Sequence, residues 1–177
     1  MAAYDFERLI VDIPDYPKPG VVFKDVTPVF ADPEAFAALV DAIAGAFEGA
    51  GVTKVMGSEA RGFMLGAPVA LRMGVGFVPA RKPGKLPREV LSESYELEYG
   101  TDSLEIHADA LSPDDVVLVV DDLVATGGTA KAQLRLVERA GARVAGFGFL
   151  MELAFLGPRA SLAEVSDAPV FAAVVVE

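Results

Sequence analysis

Cysteine is absent from the 177 residues and histidine occurs once, as His107. The first absence excludes disulfides, thiolate metal sites and cysteine nucleophiles, and it suits a reducing, cytoplasmic setting. The single histidine sits between Ile106 and Ala108, in a strand-like context with no catalytic cluster around it, and receives no role. Positive charge is also scarce. Fifteen Lys and Arg against 26 Asp and Glu leave a net charge of -11, which argues against nucleic acid as a partner, because a phosphate backbone needs a basic surface. Any anion that binds must therefore be gripped by locally focused donors. No uninterrupted apolar run approaches the ~20 residues of a membrane span, and the acids in MAAYDFERLIVDIPDYPKPG do not suit a signal peptide. With 53% hydrophobic and 23% charged residues, the composition predicts one globular domain over residues 1–177.

Helix and strand signals alternate along the chain. Asp32-Pro33-Glu34 is a helix start, with an acid at the cap and proline in the first turn. Phe36, Leu39, Val40, Ile43 and Phe47 then share one helical face, and the glycines at 49 and 51 end it. KVMGSEARGFMLGAPVALRMG reads as strand, turn and helix. Pro68 predicts a kink or a late start there, since an interior proline removes a backbone hydrogen bond. GFVPARK is another short strand, and the charged stretch from Lys82 to Gly100 reads as an exposed hairpin excursion. Val116–Val120 is too uniformly aliphatic to alternate and predicts a central strand buried on both faces. A helix from Thr129 to about Ala140 and strands in RVAGFGFLMEL and APVFAAVVV complete an α/β domain with a mainly parallel central sheet flanked by helices.

The strand VVLVVDDLV runs directly into ATGGTAKA. Gly127 and Gly128 let backbone N–H groups approach an anion, Thr126 and Thr129 add hydroxyl donors, and the next helix points its positive end at the same place. This is a phosphate cradle, but GxxxxGK[ST] is absent, so it is not a nucleoside-triphosphate loop. Asp121 and Asp122 would repel a phosphate. Carboxylates only accept hydrogen bonds, and a vicinal diol offers two donors, so the pair with its loop describes ribose 5-phosphate. GSEARGF, Gly57 to Phe63, supplies a second anion site, in which the Arg61 guanidinium can grip oxygens bidentately. Together the two sites fit a ribose with a 5-phosphate and a pyrophosphate on C1.

VVLVVDDLVATGGT resembles the signature of the phosphoribosyltransferases that use phosphoribosyl pyrophosphate. PKPGVVFKDVTPVF, GSEARGF, RKPGKLP and ESYELEYGTDSLEIHADAL are similar, in order and spacing, to the adenine-using branch of that family, and FLMELAFLGPRA matches more loosely. The resemblance implies that Ala125, Thr126, Gly127, Gly128 and Thr129 hold the 5-phosphate and that Asp121 and Asp122 hold the ribose hydroxyls. It places Ser58, Glu59, Ala60 and Arg61 on the pyrophosphate, with a cis peptide between Glu59 and Ala60, and adds charge from Arg81, Lys82 and Lys85. Mg²⁺ would be held mainly by the substrate, with no side-chain ligand assigned.

By the same resemblance a hood over about residues 1–30 covers the base. Phe23 stacks on it, the Val22 backbone reads its edge beside Lys24, and Leu156, with Leu153, closes the other face. A mobile lid over about 82–100 carries Glu98, which accepts the proton of the base, while Arg61 assists catalysis at the reacting centre. A homodimer is also implied. The expected activity is transfer of the phosphoribosyl group to adenine, giving AMP and pyrophosphate. A different purine acceptor, or a non-catalytic sensor of phosphoribosyl pyrophosphate, is the alternative.

Overall fold

The computed structural model describes residues 4–97 and 100–177. Two short antiparallel strands, β1 (Val11–Pro14) and β2 (Val22–Asp25), open the chain, with Asp12 opposite Lys24. Helices α1 (Thr27–Ala31) and α2 (Pro33–Ala46) lead to β3 (Lys54–Ser58), α3 (Arg61–Met73) and β4 (Gly76–Ala80). A second antiparallel pair, β5 (Val90–Leu97) and β6 (Gly100–His107), precedes β7 (Val116–Val124) and α4 (Gly128–Arg139). The chain ends with β8 (Arg143–Leu153), α5 (Pro158–Ala163) and β9 (Val170–Val176).

Five strands make the central sheet in the order β4-β3-β7-β8-β9, and every pairing in it is parallel. The sheet is thus wholly parallel where the sequence predicts a mainly parallel one, because both antiparallel pairs stand apart from it. β7 takes the middle because Val116–Val120 tolerate burial on both faces. Alternation along that strand divides the core. Leu118 and Val120 join Leu39 and Ile43 of α2 and Leu65 and Val69 of α3, whereas Val117 joins Leu136 and Val137 of α4. Among the described residues no helix is long and apolar enough to cross a membrane.

Local sequence explains the element ends. The Asp32 carboxylate accepts the backbone N–H groups of Glu34 at 3.0 Å and Ala35 at 2.9 Å, satisfying two donors that the first turn leaves unpaired. Pro68 does not break α3, which runs continuously from Arg61 to Met73. The carbonyl that loses its partner belongs to Met64, which is 44% exposed, so water can replace the missing N–H. The expected hairpin is present and reaches His107. It is anchored, since Tyr95, Leu104 and Ile106 are buried against Leu136 and Val137, and Arg81 and Glu105 exchange two backbone hydrogen bonds of 2.8 Å.

Strand order decides where a ligand can sit. From β3 the chain adds β4 on one side, then places β7 on the other side and continues outward through β8 and β9. The direction of winding therefore reverses between β3 and β7, and the crevice beyond their carboxyl ends is where open parallel sheets bind ligands.

Two substitutions calibrate this core. Ile43→Ala removes a fully buried side chain and should cost about 2–5 kcal/mol, whereas Asp32→Ala removes only the cap and should cost about 1 kcal/mol. Thermal unfolding should show both losses, at roughly 2–4 °C per kcal/mol for a chain of this size. Equal shifts for the two would contradict the assigned roles.

Candidate active site

Ser58 ends β3 and Asp121 lies level with the same end of β7, so the crevice is spanned by a hydrogen bond from the Ser58 hydroxyl to Asp121 Oδ2. Asp122 follows, and its backbone N–H donates to Asp121 Oδ1 at 2.9 Å. Both acids are buried, at 9% and 4% exposure. Arg61, the first residue of α3, donates Nε to Asp122 Oδ2 and borders the cavity. Burial, with the Asp122 charge next to it, pushes Asp121 up to about 8. The raised proton affinity of Asp121 lessens the negative charge beside the loop, and Arg61 opposes the charge of Asp122. That resolves the apparent conflict of two acids beside a phosphate loop.

Gly62 makes this approach feasible. A Cβ there would stand 2.9 Å from Asp121 Oδ1 and 3.3 Å from Ser58 Oγ, so any side chain would displace the acid. The second glycine of GSEARGF thus leaves room for the acid, while its partner Gly57 faces the Gly62 carbonyl, 2.5 Å from where a Cβ would be. The peptide between Glu59 and Ala60 is cis, as the resemblance implies.

A cavity of about 520 Å³ joins these groups to the loop at 125–129. Gly127 turns the chain with φ 88° into α4, whose N-terminus has no side-chain cap. Thr126 and the first residues of that helix, Gly128, Thr129 and Ala130, border the cavity together with Ser58, Glu59, Ala60 and Arg61, so the positive end of α4 lies at its edge. The structure therefore brings both sequence-predicted anion sites and the acid pair into one chamber. Asp121 and Asp122 give it hard oxygen donors of the kind Mg²⁺ takes alongside substrate phosphates. No three acidic or histidine side chains cluster as a metal site among the described residues.

Other expected residues lie differently. Lys82 borders the cavity, with Nζ held by Asp102 Oδ2, and the Tyr95 hydroxyl donates to the same oxygen at 3.2 Å. Burial opposes the Asp102 charge, but the Lys82 and Ser103 donors outweigh it and hold the carboxyl below its usual range. Arg81 is turned to Glu59, donating Nε and Nη2 to its carboxylate at 3.3 Å each. The Lys82 backbone N–H adds a bond of 3.0 Å. Lys82 and then Arg81 keep Glu59 below the ordinary carboxylate range. Neither Arg81 nor Lys85 is among the residues bordering the cavity. Glu98 lies outside the described residues.

The hood residues are not among those that border the chamber. Phe23 meets Tyr16 edge to face with ring centroids 5.3 Å apart, Val22 and Leu156 are 53% and 44% exposed, and Leu153 packs against the main core. Lys24 donates Nζ to Asp12 Oδ1 at 2.6 Å. Sequence reasoning missed Tyr95, Asp102, Leu104, Gln133 and Phe149, which all border the cavity. Only Gln133, a polar residue between Ala132 and Leu134, carried a signal.

Fold and chamber together define a transferase of sugar phosphates, and comparison agrees. Residues 26–171 match the phosphoribosyl transferase domain model, and the chain belongs to that family. Within it the chain is similar to adenine phosphoribosyltransferases. The enzyme of Streptomyces coelicolor is 64% identical over 153 residues, 86% of this chain and 84% of the relative. The crystal structure of the Thermoanaerobacter pseudethanolicus enzyme superposes with a TM-score of 0.91 at 50% identity, covering 97% of this chain and 98% of that one. That of Saccharomyces cerevisiae, in complex with an imino-altritol bisphosphate and adenine, gives 0.87 at 40%, covering 95% and 96%.

The raised Asp121 has a testable signature. Its folded value lies above the unfolded one, so the folded state holds the extra proton between about pH 4 and 8 and loses stability as pH rises through that window. Asp121→Asn should match the wild type near pH 4 and exceed it in melting temperature by a margin that grows toward pH 8 and then levels. A margin independent of pH would contradict the shift.

Proposed function

We propose that this chain transfers the 5-phosphoribosyl group of phosphoribosyl pyrophosphate to adenine, giving AMP and pyrophosphate. The observation that carries the reading is the single chamber in which the amide-lined loop at 125–129 faces the Ser58, Asp121, Asp122 and Arg61 cluster. The loop takes the 5-phosphate, the acid pair accepts the ribose hydroxyls, and Arg61 meets the pyrophosphate. The bond from C1 to the pyrophosphate oxygen breaks as the bond to the adenine nitrogen forms, and the proton released from that nitrogen passes to an acid, which the resemblance places at Glu98. The chain's part is positioning and charge stabilisation, with no covalent intermediate. Mg²⁺, held mainly by the substrate with Asp121 and Asp122 available as further oxygen donors, would supply charge neutralisation for the departing pyrophosphate.

Adenine is the acceptor named for the relatives. The fold supports it at one further point. A basic side chain beside the base would suit an oxo group better than the 6-amino donor of adenine, and here the Lys24 charge is already met by Asp12 at 2.6 Å. A homodimer, placed in the cytoplasm, completes the proposal. Leu71 of α3, 84% exposed, leaves apolar surface for such a contact.

Pyrophosphate release should be measured with phosphoribosyl pyrophosphate, Mg²⁺ and each of adenine, guanine, hypoxanthine and xanthine. Adenine alone should support turnover, and EDTA should abolish it. Reaction with an oxopurine in place of adenine would overturn the specificity, and full activity in EDTA the metal requirement. Light scattering should give twice the chain mass; the monomer mass would remove the dimer.

A further inference from the structure

Among the described residues, Gln133 of α4 is a polar side chain with 0% exposure that the assigned chemistry leaves unused, and unlike the buried Glu152, which Arg159 holds, it has no partner. Both amide atoms, Oε1 and Nε2, lack a hydrogen-bond partner among the described residues. Such groups are rare in folded proteins, because the amide has given up water on both its donor and acceptor sides. Packing alone does not ask for glutamine here. The other buried positions of α4 are Ala130, Ala132, Leu134, Leu136 and Val137, and an aliphatic residue would serve position 133 equally well.

Its location supplies the missing partner. Gln133 stands one helical turn after Thr129, on the same face as the end of the phosphate loop. It borders the 520 Å³ cavity together with Asp121 and Tyr95. Neither amide atom is engaged, and both are covered in this conformation, so a small turn of the side chain toward the cavity that Gln133 borders would offer a ligand an N–H donor and a carbonyl acceptor. A sugar phosphate presents the complement of both, with ester and phosphate oxygens for the donor and hydroxyls for the acceptor.

We propose that Gln133 is a substrate-positioning residue whose amide is completed by the phosphoribosyl group. The proposal rests on the phosphoribosyl pyrophosphate reading given above. It adds a polar contact from the helix wall to those of the loop and the acid pair, and it acts on the sugar phosphate and not on the base.

Gln133→Met and Gln133→Leu remove the amide while filling its space, so folding should survive and the melting temperature without ligand should equal or exceed that of the wild type. In both, KM for phosphoribosyl pyrophosphate should rise about tenfold, the scale of one hydrogen bond to a charged group, with kcat and KM for adenine changed less than about twofold. The rise in melting temperature given by ribose 5-phosphate should shrink in parallel. Unchanged KM for phosphoribosyl pyrophosphate with an undiminished ribose 5-phosphate shift in both variants would overturn the proposal and mark the amide as a packing feature or the seat of a permanent water. Equal rises in both KM values together with a lowered melting temperature would overturn it too, as a loss of packing. A wild type that ignores ribose 5-phosphate would instead sink the sugar-phosphate reading, so the two failures are distinct.

Discussion

The short polar bridge between β3 and β7, Ser58 to Asp121, is the constraint on which the site depends. It stands where the winding of the sheet reverses, the one place at which two neighbouring strand ends have no helix connecting them directly. Burying two adjacent acids there is costly. The cost is moderated by the raised proton affinity of Asp121 and by setting Arg61 against Asp122. The same arrangement lowers the negative potential beside a loop whose purpose is to attract an anion. Hydroxyl donors of a sugar would favour the ionised form of Asp121 over the protonated one, so binding of such a ligand and release of a proton are linked.

Charge pairing also engages the basic residues that follow β4. Arg81 is held by Glu59 and Lys82 by Asp102, so the basic residues that could meet a pyrophosphate are already compensated in this conformation. An incoming polyanion must compete with these carboxylates, and each exchange replaces one charge-assisted contact with another. Such a balance costs little to shift.

How much of this was legible in the sequence depends on how local each cause is. The strand Val116–Val120, the cap at Asp32 and the glycine turn at 127 are set by neighbours within a few residues, and they were readable. The conjunction of GSEAR with DDLVATGGT was readable as chemistry because both motifs end parallel strands. The partners of those motifs were not. Glu59 with Arg81, Lys82 with Asp102 and Lys24 with Asp12 join residues 12 to 22 apart through turns whose geometry no periodicity fixes. Pro68 misled for a related reason, since its cost depends on how exposed the helix is around Met64, a tertiary property.

The hairpin shows how core packing and site are coupled. Leu104 and Tyr95 reach from it into the cluster that contains Leu136 and Val137 of α4, and the same two residues line the chamber. Asp102, two residues before Leu104 on the same strand, carries Lys82. Side chains alternate along a strand, so Asp102 and Leu104 point to the same side. Burying Leu104 therefore fixes the height at which Asp102 presents its carboxylate, and through it the position of the Lys82 ammonium group. A change in apolar packing against α4 would be felt as a movement of charge at the cavity wall.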